Sequence, residues 1–551
     1  MAALSDEEKT LFINVADGNR GTDEDDDSTA LLNRNIDAKN SINIDDIKTL
    51  TSIEKVDCIV NKFKIGFFHY LIVIICGFCY CSYTLFYQAI SYIIVSVCDL
   101  RIQTQNQPSW LSLHLTIGVI VGSGIGGVIG DLFGRRIVIL VALSINLLGI
   151  IATAFSVNLD MMIAFICFNG LAFGAMLSNI HPYSIEFFPR HFRGWAMACI
   201  TAFSVVGSIY GSLVAMPLVH TTSFFTPPTS RYFPSWRLYL LSCCLPIIIG
   251  LCSLIWMPNS LRYTLIKESY DKKLMILNRI DKINSTVRQD RSNIDDMIVL
   301  IKPVISKRHN VNTDKNNSTY RTYIENIRQL NQPSQRRRIL VLMTAWFGYG
   351  FTSHGLWVWL PSLLSYYFHG NNCLSFNHNG PTWNEIHKVP ANISVCLDAS
   401  DNLSSTLTKL MIGNILSIPV TLSCILIVNR YGRKGLFCSL AILSGISIIL
   451  IWVIDQSVFA IILVCMFSAI AINGWIPLKV WSSELFATEI RSTTFGILNV
   501  FGHIGILCGT VIFTPLFYTS CLLCLILYSL ITILSGNIVL YQPDTIDTDI
   551  G

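Results

Sequence analysis

Three ionisable side chains lie inside long apolar runs of this sequence: His354, Lys479 and His503. Hydrocarbon solvates such groups poorly, so an ionisable residue within a membrane span is a functional candidate by default. Histidine changes its charge near neutral pH, which would allow a proton-linked role at His354 and His503. A neutral histidine that only hydrogen bonds to a neighbouring helix is the other interpretation, and the sequence leaves both open.

Aromatic and amide side chains lie in the same runs as these ionisable groups. Trp475 precedes Lys479 by one helical turn, and several aromatic residues flank His354. The face of an aromatic ring can hold a cation and an amide can hydrogen bond to a solute, although both types also serve helix packing. With Trp475 as the first candidate, we predict a small-molecule cavity lined by Trp475, Lys479, His354, Trp346, Tyr349, Trp357, His503 and Asn499.

The composition excludes a soluble enzyme. The 551 residues are 52% hydrophobic and 13% charged, and this charged fraction is about half that of a soluble domain. The net charge of +4 is too small to suggest nucleic acid as a partner. Most cysteines lie in apolar runs, and the sequence contains no nucleotide-binding, serine-hydrolase or metalloprotease motif. We therefore expect no catalytic residue, no metal and no cofactor.

About twelve apolar runs are long enough to cross a bilayer as helices. The predicted fold is an all-α membrane protein with two six-helix halves at 63–257 and 339–541. Its predicted partners are the lipid bilayer and a small-molecule solute. An acidic, disordered tail at 1–62, a central segment at 258–338 and a short tail at 542–551 complete the chain. Because the basic loops share one side, the positive-inside rule predicts that this side and both termini are cytoplasmic.

The sequence repeats itself at an interval of 298 residues. A glycine before two basic residues, a glutamate and an arginine recur in the same order and at that one spacing. The pairs are Gly134 and Gly432, Glu186 and Glu484, and Arg193 and Arg491. A single basic turn is common by chance, whereas three markers at one interval are not. The two halves are therefore predicted to be parallel repeats.

Residues 127–136, GVIGDLFGRR, resemble the signature loop of the major facilitator superfamily, whose halves are parallel repeats. The resemblance implies a fold of about twelve transmembrane helices, transport by alternating access, and a gate built from the duplicated motif. The residues expected in this gate are Gly127, Asp131, Gly134, Arg135, Arg136, Glu186, Arg193, Gly432, Arg433, Glu484 and Arg491.

Further stretches resemble the synaptic vesicle glycoprotein 2 family and its close relatives. They include residues 184–194, 257–262, 355–361 and 484–499, and so cover both halves. The acidic residues of that family are missing here, since the first apolar run has none and Lys479 stands where an aspartate is expected. Any coupling that depends on those acids would need another residue.

The large external domain of that family is reduced here to a loop at 369–408. This loop contains glycosylation sequons at Asn392 and Asn402. It also contains Cys373 and Cys396, and whether they form a disulfide stays open because their geometry cannot be read from sequence.

The N-terminal tail and the family resemblance together suggest where the protein works. Asp27, Leu31 and Leu32 fit the acidic dileucine pattern, which makes a clathrin adaptor a candidate partner. The leading hypothesis is a secondary-active, transporter-like protein of a synaptic-type vesicle or the plasma membrane that moves a small organic or cationic solute. The alternative is a non-transporting vesicle protein that regulates exocytosis or trafficking.

Overall fold

The computed structural model describes residues 60, 65–96, 107–220, 235–260, 264, 270–285, 332–357, 359, 393–428, 431–453, 457–486 and 491–542. Within these ranges every regular element is a helix. The predicted dileucine motif, Asn392 and Cys373 lie outside the described residues, and so do the side chains of Cys396 and Asn402.

The N-terminal half contains the first six spans. Five are continuous helices and the sixth is interrupted at Cys243. Their bounds are Phe67–Ser96, Gln107–Phe133, Arg135–Ala154, Leu159–Ile185, Arg190–His220, and Ser235–Ser242 followed by Cys244–Trp256. One further helix, Tyr270–Ser285, belongs to the central segment.

The C-terminal half contains the seventh to twelfth spans. Their bounds are Pro333–Trp357, Ile393–Ile427, Arg433–Val453, Ser457–Asn473 followed by Trp475–Glu484, Arg491–Thr519, and Cys521–Ile538 with the 3-10 turn Val539–Tyr541. The eighth helix begins at Ile393, so residues 393–407 of the predicted external loop are helical, and the part apolar enough to cross a membrane begins at Thr408. Residues 393–407 contain no Gly or Pro that would end a helix, so the polar stretch extends the helix beyond the span.

Proline explains both interrupted spans. Pro246 has no N–H to donate to the carbonyl of Ser242, and Pro477 has none for the carbonyl of Asn473. In the sixth span the Tyr210 hydroxyl donates to the Ser242 carbonyl at 3.2 Å instead. The interruption of the tenth span lies directly before Trp475.

Eleven helices of the described ranges are long and apolar enough to cross a membrane. The helix Pro333–Trp357 completes the set by position, although polar residues such as Ser353 and His354 make it less apolar. Large apolar side chains, among them Leu148, Phe168 and Leu426, are exposed on the outer surface of the bundle. Lipid covers such a surface well, whereas a soluble protein rarely exposes one of this extent.

The two halves repeat the same helix packing. In the N-terminal half the first span packs on the fifth, the second on the fourth and the third on the sixth. In the C-terminal half the seventh packs on the eleventh, the eighth on the tenth and the ninth on the twelfth. Between the halves, the second span packs on the eleventh and the fifth on the eighth. The duplication predicted from charged residues thus holds for the whole packing scheme.

Candidate functional site

The duplicated turns place their basic residues at one end of the bundle, which we call the basic end. It carries Arg135, Arg136, Arg193, Arg433 and Arg491. Gly134 and Gly432 have φ angles of 102° and 85°, a region that side chains rarely allow, so glycine is required at both turns.

Each half has one ion pair between its turn and the end of its fourth helix. Arg135 Nη1 bonds to Glu186 Oε1, and Arg433 Nη2 donates to Glu484 Oε1 at 2.9 Å. The partners are 51 residues apart in both halves. The Glu186 carboxylate also accepts a hydrogen bond from the Ser260 hydroxyl.

Two more duplicated contacts fix the loops at the basic end. Arg193 Nε donates to the carbonyl of Phe188 at 3.1 Å, and Arg491 Nη2 donates to that of Phe486 at 3.3 Å. Both arginines are buried. In each half, therefore, a hydrogen bond from a buried arginine to a backbone carbonyl holds the loop between the fourth and fifth helices.

Arg136 and its counterpart Lys434 contact the last helix of their own half. Arg136 donates to Asn259 Oδ1 at 2.9 Å and to the carbonyl of Leu254 at 3.3 Å. Lys434 Nζ donates to the carbonyl of Gln542 at 2.6 Å. Arg136 thus ties the second-to-third turn to the sixth span rather than bridging the two halves.

Asp131, Gly127 and Gly496 lie where the two halves meet at the basic end. Asp131 Oδ2 accepts a hydrogen bond from the Thr493 hydroxyl at 2.9 Å. A Cβ added to Gly127 would lie 3.1 Å from the carbonyl oxygen of Ser492, and one added to Gly496 would lie 3.0 Å from that of Ser123. The backbones of the second and eleventh spans therefore touch, and this end of the interface is closed.

Lys479 lies inside the bundle, on the second part of the tenth span, and its side chain reaches the other half. Its Nζ donates to the hydroxyl of Tyr80 on the first span. The same nitrogen lies 4.4 Å from the centre of the Tyr80 ring and 5.7 Å from that of the Trp475 ring. Lys479 is buried, and no carboxylate among the described residues pairs with it.

His354 shares the Trp475 indole with Lys479. The indole N–H donates to His354 Nδ1 at 3.0 Å and to the hydroxyl oxygen of Ser353 at 3.1 Å. Because an indole N–H can only donate, His354 Nδ1 is the acceptor and the ring proton of the neutral histidine is on Nε2. No described residue hydrogen bonds to that Nε2–H.

His503 has the opposite arrangement of ring protons. Its Nδ1 lies 2.8 Å from the carbonyl oxygen of Asn499, so Nδ1 must be the donor. Its Nε2 then accepts from the Tyr83 hydroxyl at 3.1 Å. This bond is a further direct link between the halves, and it leaves His503 without a free donor when neutral. The Asn499 amide group donates to the carbonyl of Phe495 in its own helix.

Trp346 and Tyr349 pack against Trp475 from within the C-terminal half. Both are fully buried and contact Trp475 edge-on with ring centres 5.3 Å apart. Trp346 donates to the Ser482 hydroxyl at 2.9 Å, and Tyr349 donates to the carbonyl of Ala471 at 2.7 Å. These two predicted cavity residues therefore fix the position of Trp475.

Trp357, in contrast, faces the other half. Its ring stacks on that of Tyr87 at 6.1 Å with an angle of 9° between the planes. His354 contacts the edges of both rings, with centres 5.9 Å away. Trp357 and His354 are only partly buried.

The N-terminal side of this site was not predicted. It consists of Tyr80, Tyr83 and Tyr87 on the first span, together with His181, whose ring centre lies 5.4 Å from that of Tyr80. The first span contains no acid in its apolar run, and its tyrosines were not among the predicted site residues. Their spacing of three and four residues places all three on one helix face, which is the signal that could have revealed them.

The described residues contain no group of His, Cys, Asp and Glu that could hold a metal ion. Cys521 at the start of the twelfth span is disulfide-bonded, and thirteen other described cysteines are free. The pairing of Cys373 with Cys396, whose side chains lie outside the described residues, stays a prediction. Glycosylation of Asn392 and Asn402 likewise stays a prediction.

Comparisons with known proteins agree with this architecture. The sequence profile of the Major Facilitator Superfamily matches residues 72–510. The chain is 22% identical to synaptic vesicle glycoprotein 2C of Mus musculus, over 79% of this chain and 73% of that protein. It is 20% identical to synaptic vesicle glycoprotein 2B of Homo sapiens, over 80% of this chain and 78% of that protein.

A solved structure shows the same fold. The proton:xylose symporter XylE superimposes with a TM-score of 0.60 at 15% identity, over 87% of this chain and 96% of that one. The apolar helices and the family match make the chain a multi-pass integral membrane protein of the transporter type. Its duplicated turns, its helix packing and its sequence profile agree: the chain belongs to the major facilitator superfamily.

Proposed function

We propose that the chain is a secondary transporter that moves a small organic solute by alternating access. The contact between Lys479 and Tyr80 carries this proposal. It places an ionisable group inside the membrane where the two halves meet, and such a group is expensive unless it serves a function. Transporters of this fold bind their solutes at that interface.

The closed basic end supports the same mechanism. The contacts of Gly127 with the eleventh span and of Asp131 with Thr493 must separate for a solute to leave at this end. The ion pairs of the duplicated turns stay within their own halves, since Arg135 bonds to Glu186 and Arg433 bonds to Glu484. Each half can therefore move as a unit.

We further propose that the basic end is cytoplasmic, together with both termini, and that Asn392 and Asn402 are glycosylated on the opposite side. The positive-inside rule supports this orientation. The likeness to vesicle glycoproteins supports residence in a vesicle or the plasma membrane. A clathrin adaptor that binds Asp27, Leu31 and Leu32 would provide the sorting step.

Uptake by reconstituted protein tests the proposed function. The purified full chain is placed in liposomes and assayed with neutral sugars, amino acids, organic cations and organic anions. We expect saturable uptake of at least one class, which Trp475→Ala and Lys479→Met reduce. Gly435→Ala is the matched control, because a Cβ at Gly435 meets no atom within 4 Å. Absence of uptake across the panel would contradict the proposal and support the non-transporting vesicle protein.

A further inference from the structure

Lys479 is the one buried Lys, Arg, Asp or Glu of the described residues that lies away from the basic end. The others are Arg135, Glu186, Arg193 and Arg491. The described parts of the first, seventh and eleventh spans contain no acid, and Glu484 at the end of the tenth pairs with Arg433. Among the described residues, therefore, no carboxylate supplies a counter-ion for Lys479.

The neutral partners of Lys479 compensate its charge only in part. A protonated lysine has three N–H donors, and the Tyr80 hydroxyl takes one of them. The faces of the Tyr80 and Trp475 rings attract the ammonium, but less strongly than an anion would. A buried charge that lacks an ionic partner is strongly destabilising. A bound anion would supply the missing charge and accept the remaining N–H groups.

His354 offers a second donor beside the same indole. Trp475 occupies its Nδ1, which leaves the proton of a neutral ring on Nε2, and that N–H has no described partner. Lys479 and His354 both contact the Trp475 side chain, so the two donors flank one indole. His503 adds no donor, because its own proton goes to the Asn499 carbonyl.

The aromatic faces that could have held a cationic solute are already used. The ammonium of Lys479 lies over Tyr80 and Trp475, so a second cation would have to displace it and would be repelled by it. The partly buried rings of Trp357 and His354 offer an apolar surface beside the two donors. A flat or apolar body with a negative group matches this arrangement, whereas a cation does not.

We propose that the solute of this site is an organic anion: a small carboxylate with an aromatic or apolar body, held by the Lys479 ammonium and the Nε2–H of His354. This inference rests on the proposed function, because it names the class of solute for the transport site. The carboxylate would take the place that an acidic side chain of the protein fills beside most buried lysines.

Ligand-dependent thermal stability of the purified full chain tests this assignment without requiring flux. The probes are two matched sets: benzoate, benzamide and benzylamine, then 3-phenylpropionate, its amide and 3-phenylpropylamine. We expect an acid to raise Tm while its amide and amine do not. Lys479→Met should weaken acid binding by about ten-fold or more, since it removes a charged hydrogen bond. Lys479→Arg should restore part of it, and Lys272→Met, outside the membrane spans, is the control.

The outcomes separate this inference from the proposed function. Three results would overturn the anion inference. They are stabilisation by the amines, equal acid binding in the native protein and Lys479→Met, and no response to either acid. Uptake of a neutral or cationic solute that is insensitive to Lys479→Met would also overturn it, while leaving transport established. Acid-specific stabilisation without flux of any solute would instead keep the anion site and remove the transport function.

Discussion

The hydroxyl of Thr493 donates a hydrogen bond to Asp131 Oδ2 at 2.9 Å and so joins the two halves of the protein at the basic end. The same carboxylate lies 3.4 Å from Arg135, which also binds Glu186. One network therefore connects the first turn of the duplicated motif, the end of the fourth span and the start of the eleventh. Opening of the basic end must break its Asp131–Thr493 bond.

Loss of that bond should favour the open basic end. Thr493→Val keeps the shape of the side chain and removes the donor, which costs the closed state about 1.5–3 kcal/mol because the acceptor is a carboxylate. Val500 lies in the interface of the second and eleventh spans, because a Cβ on Gly124 would lie 3.6 Å from its Cγ2. We expect alkylation of Val500→Cys, measured at that peptide by mass spectrometry, to accelerate about ten-fold or more. Thr510→Val is the control, since its hydroxyl bonds within its own helix. An unchanged alkylation rate would show that the bond does not hold the gate.

A larger residue at the glycine contact should disfavour closure. A Cβ on Gly496 already lies 3.0 Å from the Ser123 carbonyl oxygen, so the γ carbons of Gly496→Val would overlap the second span. Overpacking of this kind costs about 1–3 kcal/mol. We expect faster alkylation of Val500→Cys than Thr493→Val gives, together with loss of uptake. The same assays on Gly435→Ala should match the native protein, and normal uptake by Gly496→Val would refute the closure contact.

The fold was largely predictable because charged residues, which a membrane tolerates best at its surfaces, mark the ends of the apolar spans. Gly134, Glu186 and Arg193 recur at one interval, and their structural partners recur with them. The helical start of the eighth span was not predictable from hydropathy, since residues 393–407 are polar. Helix propensity and the absence of Gly and Pro decide the structure there.

The two ion pairs of the basic end should differ in their contribution to stability. Arg135 bonds to Glu186, Asp131 and the carbonyl of Pro182, whereas the Arg433 side chain has Glu484 as its one partner among the described residues. Removing one partner of a buried pair costs about 3–5 kcal/mol. We expect Arg135→Ala to lower Tm clearly more than Arg433→Ala in detergent-solubilised protein.

A charge exchange provides the control for these losses. Arg433→Glu combined with Glu484→Arg should recover most of the Tm that Arg433→Glu alone loses, because the pair is rebuilt in the reverse direction. Equal losses for Arg135→Ala and Arg433→Ala would contradict the difference that we read from their contacts.

Lys479→Met should leave the protein at least as stable as the native chain. Methionine has nearly the length of lysine, and replacing a buried charge by an apolar group of similar size is often neutral or stabilising. Tyr80→Phe should cost only about 1 kcal/mol, since the ring face beneath the ammonium is kept. Thermal unfolding measures both, with Lys272→Met for comparison. A marked drop in Tm for Lys479→Met would mean that the lysine serves the fold rather than the solute.

The residues on the C-terminal side of the candidate site stand out in the sequence, whereas those on its N-terminal side do not. Trp475, Lys479 and His354 stand out because they are unusual in apolar runs, and the structure brings them together. Tyr80 and Tyr83 carry no charge and look like ordinary apolar residues. Their roles depend on contacts with residues about 400 positions away, which only the assembled bundle reveals.

The bond between Lys479 and Tyr80 couples solute binding to the contact between the two halves. Under the anion proposal, a carboxylate that engages the ammonium competes with the Tyr80 hydroxyl for its protons. Solute binding would then break this hydrogen bond between the two halves within the binding site itself. The bound solute would thereby promote the rocking motion of the halves, and no signal from a distant site would be needed.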